Sequence, residues 1–262
     1  MRGQVLEMIV SAGHGHVGGS LSCTDILVSL YHGAGLRFDH QNPEWDERDR
    51  LIFSKGHSVE ALYAVLADVG FFEVEELASY GRSGSRLGGH ADGAVPGVEV
   101  STGSLGHGLG IGAGLALAAK LDRRDHMTVV IMGDGECYEG SVWEAAMFAS
   151  HQKLNNLVAV VDRNGQITLD YTEECNQLEP FADKWAAFGW ETCVVNGHSF
   201  EELSNAFQHM KDRRSQRPLV VIANTIKARG ISGMEGDLNW HHNVPSGELL
   251  DAARRELAFH GE

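Results

Sequence analysis

Two short apolar runs rich in β-branched residues constrain the fold of this chain more than any other feature. Residues 127–132 (MTVVIM) and 157–161 (LVAVV) have the composition of strands buried on both faces, as in a parallel sheet. Each run stops at a polar segment that contains glycine, and residues 141–152 between them are predicted to form a helix. The three segments together predict a βαβ unit, whose crossover is expected to be right-handed.

The rest of the chain repeats this alternation of strand and helix. Near the N-terminus, Thr24 is predicted to cap a helix over residues 25–31, after a break at residues 13–19 that is rich in Gly and His. The alternation indicates an α/β fold, a parallel sheet with helices on both faces. No linker or repeat is visible, so residues 1–262 are expected to form a single domain. Further strands are predicted at 51–53, 191–195 and 219–223, and further helices at 4–12, 113–121, 181–188 and 200–213.

The charge balance limits the partners that we expect. With 21 Lys and Arg against 36 Asp and Glu, the formal net charge is −15, which argues against nucleic acid and against an anionic membrane surface. The four cysteines form no CxxC pair and no zinc spacing, as is common in a reducing compartment. No apolar run approaches the roughly 20 residues of a membrane span, and residues 1–12 lack a signal-peptide pattern. The sequence therefore predicts a soluble cytoplasmic protein.

Oxygen-bearing side chains follow both strands of the βαβ unit. Asp134 stands between Gly133 and Gly135 after the first strand, and Asn164 follows the second. Ligands of an open parallel sheet bind beyond the carboxyl ends of the strands, so adjacent strands would bring these oxygens to one point. A carboxylate and an amide oxygen suit Mg²⁺ or Ca²⁺. Such a metal, with the N–H groups of the following helix start, can hold a diphosphate despite the negative charge of the chain.

The segment from Gly133 to Asn164 resembles the thiamine diphosphate motif of the transketolase family. It reads GDG and then, after 28 residues, Asn. The resemblance implies a thiamine-diphosphate-binding fold with thiamine diphosphate and Mg²⁺ (or Ca²⁺) as cofactors. In that family the metal is held by the aspartate, the asparagine and the backbone carbonyl two residues later, which here are Asp134, Asn164 and Gln166. Cofactor contacts are also implied for Gly133, Asp134, Gly135, Glu136 and Asn164.

Four histidines lie in segments that resemble further motifs of this family. They are His16 in GHVGG, His57 in SKGH, His90 in GHAD and His241 in WHH. The resemblance implies that these side chains line the substrate channel, where they bind sugar hydroxyls and move protons. Imidazole suits both tasks because its unperturbed pKa is near 6.5. Val17 replaces the proline of the family motif, and His14 and His242 are additional histidines beside these segments.

Three further residue sets are implied by the same resemblance. Gly103, Ser104 and Leu105 lie in GSLGH, which resembles a cofactor-contacting GSLGQ segment, with His107 in place of Gln. Glu139 matches a glutamate that supports a carboxylate network across a subunit interface, although a glutamate at a helix start is also favoured by the helix dipole. Lys227, in TIKARG, matches a conserved lysine of a loop that covers the cofactor. Without the resemblance, the Lys227 segment is an ordinary solvated basic loop.

The resemblance covers nearly the whole chain, yet it covers only the first domain of a transketolase. A full transketolase is more than twice as long, and its second domain binds the aminopyrimidine of the cofactor. We therefore expect the N-terminal subunit of a split enzyme that transfers a two-carbon ketol unit from a ketose donor to an acceptor. Its expected partner is a separate C-terminal subunit with the pyrimidine-binding domain, in an α₂β₂ assembly. The alternatives are half of a 2-oxo acid dehydrogenase E1, or an enzyme that passes a two-carbon unit to a carrier thiol.

Three interpretations of a different kind remain open from the residues alone. A non-catalytic regulatory protein would have no need of Asp134, Asn164 and the four histidines. A zinc hydrolase would use His14 and His16 as ligands, but no supporting carboxylate pattern follows them. A dinucleotide-binding turn at residues 108–113 would match G-x-G-x-x-A, but it lacks a preceding strand of β-branched residues.

Overall fold

A parallel sheet organises the computed structural model, which describes residues 1–33 and 35–258. Its strands are β1 (Arg50–Phe53), β2 (Thr128–Gly133), β3 (Leu157–Arg163), β4 (Glu191–Asn196) and β5 (Leu219–Asn224). Within the described residues they pair in the order β1–β2–β3–β5–β4, and every pairing is parallel. The predicted α/β fold is confirmed. Ala34 and residues 259–262, which belong to the predicted domain, lie outside the described residues.

Helices cover both faces of this sheet, as predicted. They are α1 (Arg2–Ala12), α2 (Val17–Tyr31), α3 (Val59–Asp68), α4 (Gly108–Leu121), α5 (Gly140–His151), α6 (Thr172–Cys175), α7 (Phe181–Ala187), α8 (Phe200–Asp212) and α9 (Gly247–Ala258). Helices α1, α2, α3 and α8 pack on one face, and α4, α5 and α7 pack on the other. Of the described helices, none has the length and apolar character needed to cross a lipid bilayer.

The side chains of β2 show how the apolar runs produce this two-sided packing. Val129 and Ile131 belong to the core on the α1–α2–α3 face, whereas Val130 and Met132 belong to the core on the α4–α5 face. All four side chains are fully buried, because successive side chains of a strand point to opposite faces. Burying each such side chain contributes roughly 1.5–3 kcal/mol, which is why the strand sequence is apolar without alternation.

The start of α2 differs from the sequence prediction. The helix begins at Val17, not after Thr24, and the hydroxyl of Thr24 donates to the carbonyl of Ser20 at 2.8 Å inside the helix. Of the glycines in the predicted break, Gly18 and Gly19 lie inside this helix, whereas Gly13 and Gly15 lie in the non-helical segment between α1 and α2, where the predicted break is confirmed. A Cβ on Gly18 would lie 2.3 Å from the carbonyl oxygen of Trp240. Close packing therefore explains Gly18, whereas Gly13 ends α1 in the left-handed conformation (φ 73°).

The register of the strands brings four segment ends to one edge of the sheet. Phe53 of β1 pairs with Ile131 of β2, and Gly133 of β2 pairs with Asp162 of β3. Asp162 in turn pairs with Ala223 of β5. The residues that follow β1, β2, β3 and β5 therefore meet at the carboxyl edge of the sheet, where a parallel α/β fold places its ligands.

Candidate active site at the carboxyl edge of the sheet

A cavity of about 440 Å³, here called the first cavity, opens at this edge. Its volume lies in the range of small-molecule and cofactor sites. The structure brings twelve of the residues predicted from the sequence to its wall: His57, Gly103, Leu105, Gly133, Asp134, Gly135, Glu136, Glu139, Asn164, Gln166, Lys227 and His241. His16 and His90 line a neighbouring cavity of about 330 Å³, here called the second cavity. Ser104 lines neither of these two cavities.

Asp134 holds the ends of β2 and β3 together. Its Oδ1 accepts the N–H of Gly135 at 2.8 Å, and its Oδ2 accepts the N–H of Gly165 at 2.7 Å. The same Oδ2 lies 2.9 Å from the guanidinium of Arg163. Burial, with the nearby carboxylate of Asp162, raises the pKa of Asp134, while Arg163 opposes that rise. The carboxylate is thus nearly solvent-free and needs a positive charge beside it.

The oxygens around Asp134 fit a hard divalent cation. Asn164 and Gln166 line the first cavity together with Asp134. The side-chain oxygen of Asn164 accepts the N–H of Gln166 at 3.1 Å, so the chain after β3 turns tightly there. A carboxylate, an amide oxygen and a main-chain carbonyl are ligands that Mg²⁺ and Ca²⁺ accept. Arg163, which no sequence motif singled out, supplies positive charge to Asp134 and also binds Glu173 at 2.7 Å.

A buried ion pair between Lys55 and Asp162 lies at the first cavity, whose wall includes Lys55, and neither residue was predicted from the sequence as part of the site. The ammonium of Lys55 donates to Asp162, and both side chains are almost completely buried. Asp162 also accepts the hydroxyls of Ser22, at 2.6 Å, and Thr225. Burial alone would lower the pKa of Lys55, but the carboxylate of Asp162 outweighs it and the pKa is raised. Two signals were available: Lys55 stands two residues after a buried strand, and it lies in the SKGH segment that contains His57.

Glu136 fixes the loop that carries the predicted GSLGH segment. Its Oε1 accepts the N–H of Gly106 at 2.9 Å and the hydroxyl of Ser54, and its Oε2 accepts the N–H of Gly133 at 3.2 Å. The carboxylate is buried, and burial raises its pKa. Glu136 therefore ties β1, β2 and the loop before α4 to one point and keeps Leu105 on the cavity wall.

The four predicted histidines form one cluster. Measured from the ring centre of His16, the ring centres of His57, His241 and His90 lie at 5.1, 5.5 and 6.1 Å. The additional His242 belongs to the same cluster, at 6.4 Å from His16. These rings come from loops far apart in the sequence, so only the tertiary fold brings them together.

Three of the clustered imidazoles, those of His16, His57 and His241, are neutral at pH 7. Burial, followed by the charge of neighbouring imidazoles, lowers the pKa of His16 to about 4. Burial, followed by Lys227, lowers the pKa of His241 to about 3. The pKa of His57 is also far below its usual range because of burial and Lys55. Neutral rings can both donate and accept hydrogen bonds, which suits hydroxyl-bearing ligands.

Lys227 orients His241 from the floor of the first cavity. The ammonium lies 2.9 Å from Nδ1 of His241 and 3.3 Å from the carbonyl of Ile167. Because an ammonium only donates, Nδ1 accepts and the ring proton belongs on Nε2, which lies 3.1 Å from the hydroxyl of Thr168. Burial, with the charge of Lys55, lowers the pKa of Lys227 to about 8.

The structure rules against two of the alternatives. In the part of the chain that it describes, no three His, Cys, Asp or Glu side chains are grouped so that they could hold a metal, which removes support for a zinc site at His14 and His16. The glycines at 108–113 lie inside α4, preceded by a loop and not by a strand. The dinucleotide-binding interpretation is therefore wrong. Those glycines serve packing, since a Cβ on Gly112 would lie 2.4 Å from a methyl carbon of Val130.

Comparison with known proteins agrees with this architecture. The family model for "Transketolase, thiamine diphosphate binding domain" matches residues 1–262. The chain is 44% identical over 257 residues to one of the subunits of the apulose-4-phosphate transketolase of Phocaeicola vulgatus, covering 98% of this chain and 91% of that protein. It is 43% identical over 262 residues to the 6-deoxy-6-sulfo-D-fructose transketolase subunit SqwG of a Clostridium species, covering all of this chain and 94% of that protein.

A solved structure shows the same fold within a longer chain. The transketolase of Campylobacter jejuni superimposes with a TM-score of 0.91 and 31% sequence identity. The match covers 98% of this chain but 41% of that one. The chain therefore spans less than half the length of that transketolase, whereas it spans most of the two subunits named above.

Proposed function

Because this chain belongs to the transketolase family and matches its thiamine-diphosphate-binding domain, we propose that it is the N-terminal subunit of a split transketolase-type enzyme. The enzyme transfers a two-carbon ketol unit from a ketose donor to an acceptor. Two similar proteins carry the name of a transketolase subunit, and each name includes a ketose derivative, which supports a ketose substrate here. Residues 1–262 would form one domain, and the four free thiols support a cytoplasmic location.

One observation carries this proposal: Asp134, Asn164 and Gln166 line one cavity at the ends of adjacent strands. In our proposal they hold Mg²⁺ through a carboxylate oxygen, an amide oxygen and a main-chain carbonyl. Asp134 is almost completely buried, so a cation beside it offsets the cost of its negative charge together with Arg163, which donates to its Oδ2 at 2.9 Å. Gly133 and Gly135 flank Asp134 on the cavity wall and let a diphosphate approach the backbone.

Thiamine diphosphate, when bound, supplies the nucleophilic carbon that receives the two-carbon unit. The side chains of this chain position and protonate the substrate. Lys227 donates to Nδ1 of His241 and thereby keeps the ring proton on Nε2. This Nε2–H donates to a substrate oxygen after the substrate displaces the hydroxyl of Thr168. Nδ1 of His16 is buried without a partner among the described residues, so it is free to accept or donate a proton at a substrate hydroxyl. His57 and Leu105 keep water away from the same space.

The partner in our proposal is a separate C-terminal subunit that carries the pyrimidine-binding domain, assembled as α₂β₂. Helices α4 and α5, which pack side by side, expose Ile111, Met147 and Phe148 to solvent, with 39, 58 and 42% of each residue accessible. In our proposal these three side chains form an apolar surface that the partner covers. Glu139 is exposed at the start of α5 beside the first cavity, where a partner would meet both the surface and the cofactor.

Cofactor binding tests the proposal. We would purify the chain with the C-terminal transketolase subunit of the same organism and follow melting with Mg²⁺ and thiamine diphosphate. At a hundredfold excess over the dissociation constant, the ligands should add about 2.7 kcal/mol of stability. Asp134→Asn should abolish the shift, whereas Asp122→Asn, at an exposed site after α4, should preserve it. An equal shift in Asp134→Asn would contradict the metal assignment, and no shift in the wild type would contradict the proposal.

The interface has its own test. Met147→Glu should separate the two subunits in size-exclusion chromatography, because it places a charge in the apolar surface. Val194→Glu changes an equally exposed side chain on the edge strand β4 and should leave the complex intact. Dissociation by both variants, or by neither, would show that the surface on α4 and α5 is not the interface.

A further inference from the structure

The second cavity extends the site beyond the motifs of the family. It is lined by His14, His16, His90 and His242, with Tyr80 at its base. His16 joins it to the first cavity, since the His16 ring lies beside His57 and His241 of the first cavity as well as beside His90 and His242. A substrate that lies against His57 and His241 in the first cavity can therefore continue past His16 into the second.

The imidazoles of the second cavity have hydrogen-bonding capacity that the protein does not use. Among the described residues, the rings of His14, His16, His90 and His242 make no hydrogen bond, and Nδ1 of His16 is buried without a partner. His241, in contrast, is held by two neighbours. Buried polar atoms are nearly always paired in native proteins, so an unpaired ring nitrogen at a cavity wall points to a ligand.

The charges around the second cavity favour a neutral ligand over an anionic one. No Lys or Arg is among the described residues that line it. Behind the wall, the carboxylate of Glu60 accepts the hydroxyl of Tyr80 at 2.6 Å, the N–H of His16 at 3.1 Å and the hydroxyl of Ser20 at 2.6 Å. This buried carboxylate repels a phosphate or sulfonate, whereas imidazole nitrogens pair readily with hydroxyl groups.

We propose that His14 and His242, which line the second cavity beside the histidines of the family motifs, select substrates by the hydroxyls on the carbons beyond the transferred two-carbon unit. This inference rests on the proposed function. Both side chains are exposed at the cavity mouth, so they can be changed without disturbing the core. They lie outside the histidine motifs shared with the family, and they give this chain a recognition surface of its own.

Donors of two lengths test this inference. In the reconstituted two-subunit enzyme, kcat/KM would be measured for an unphosphorylated five-carbon ketose and for a three-carbon 3-hydroxy-2-oxo acid, which has no hydroxyl beyond the transferred unit. His14→Ala and His242→Ala should each lower kcat/KM for the ketose by roughly 3- to 10-fold, the value of one neutral hydrogen bond. The three-carbon donor should change by less than about twofold, within the scatter expected of surface substitutions. His40→Ala, at an exposed site beside Gly70, should change neither.

The outcomes separate this inference from the proposed function. Equal losses for both donors, or no loss for the ketose, would overturn the role of the second cavity. If the wild-type pair were inactive with every donor and bound no cofactor, the proposed function itself would fail. Full activity of the variants with the three-carbon donor would support the proposed function. The result with the ketose then bears only on the role of His14 and His242.

Discussion

Replacing Lys55 with methionine should destabilise the protein more than any exposed substitution. The side chain is 1% exposed and Asp162 is fully buried, so the variant leaves a buried carboxylate without its counter-charge. Removing one partner of a buried pair costs about 3–5 kcal/mol. Asp162 keeps the hydroxyls of Ser22 and Thr225, which places the expected loss at the lower end, near 3 kcal/mol.

Urea unfolding of the chain at pH 7, followed by circular dichroism, measures this loss. Against a total stability of about 5–15 kcal/mol, a change of 3 kcal/mol shifts the midpoint by roughly 1–3 M for a typical urea slope. Lys120→Met is the matched control, because Lys120 is exposed and donates to the carbonyls of Gln152 and Lys153 at the other end of the sheet. We expect it to cost less than about 1 kcal/mol.

The double variant Lys55→Met/Asp162→Asn separates charge from packing. It removes the uncompensated carboxylate, so it should recover at least half of the loss seen in Lys55→Met. Lowering the pH should also narrow the gap between Lys55→Met and wild type. In the wild type Lys55 helps to lower the pKa of Asp162, and without it Asp162 can take up a proton in the folded state. A loss below about 1 kcal/mol in Lys55→Met would refute the reasoning, whatever the double variant does.

Three further predictions follow from individual contacts. Gly112→Ala should cost about 1–3 kcal/mol in urea unfolding because its Cβ has no space, whereas Gly110→Ala, which meets nothing within 4 Å, should be neutral or stabilising. His198→Ala should cost about 1–3 kcal/mol and speed hydrogen exchange of the Ile226 amide, because the His198 ring accepts that N–H at 2.8 Å; His198→Gln, which can still accept it, should restore both. In His16→Asn, the free energy of unfolding should fall less than in the wild type as the pH is lowered from 6.5 to 4. The pKa of His16 is about 4 in the folded protein and near 6.5 in the unfolded chain. As the pH falls through this range, the unfolded chain takes up the proton first, so the stability that neutral His16 contributes above pH 6.5 is lost. After discounting for solvent screening, this contribution is about 1–2 kcal/mol, and equal pH profiles of variant and wild type would contradict it.

The apolar runs of the sequence determined the sheet and most of its helices. Residues 127–132 and 157–161 coincide with β2 and β3 to within two residues, because a strand buried on both faces admits few polar residues. The same logic placed Asp134 and Asn164 at one edge before their contacts were known. Thr24 shows the limit of local signals. Its hydroxyl could cap a helix, but packing of Gly18 against Trp240 extended α2 by two turns.

The identity of the candidate site residues came from motifs, and their arrangement came from tertiary structure. His16, His57, His90 and His241 were chosen by resemblance to a family, and nothing in their spacing predicts that their rings lie 5–6 Å apart. The pKa values of His16, His57 and His241 depend on burial and on neighbouring charges, so the neutral state of these three rings at pH 7 was not predictable from the sequence.

The sequence by itself determined which segments are strands, where each strand ends and which polar residues stand at those ends, because these are local patterns of side-chain polarity. Only the tertiary structure decided that Lys55 pairs with Asp162 across 107 positions, and that Arg163 neutralises Asp134. Electrostatic partners are chosen by strand order and register, which no local pattern encodes. The fold could therefore be predicted from hydrophobic periodicity, whereas the charges that keep its site in place depend on distances that exist only in the folded chain.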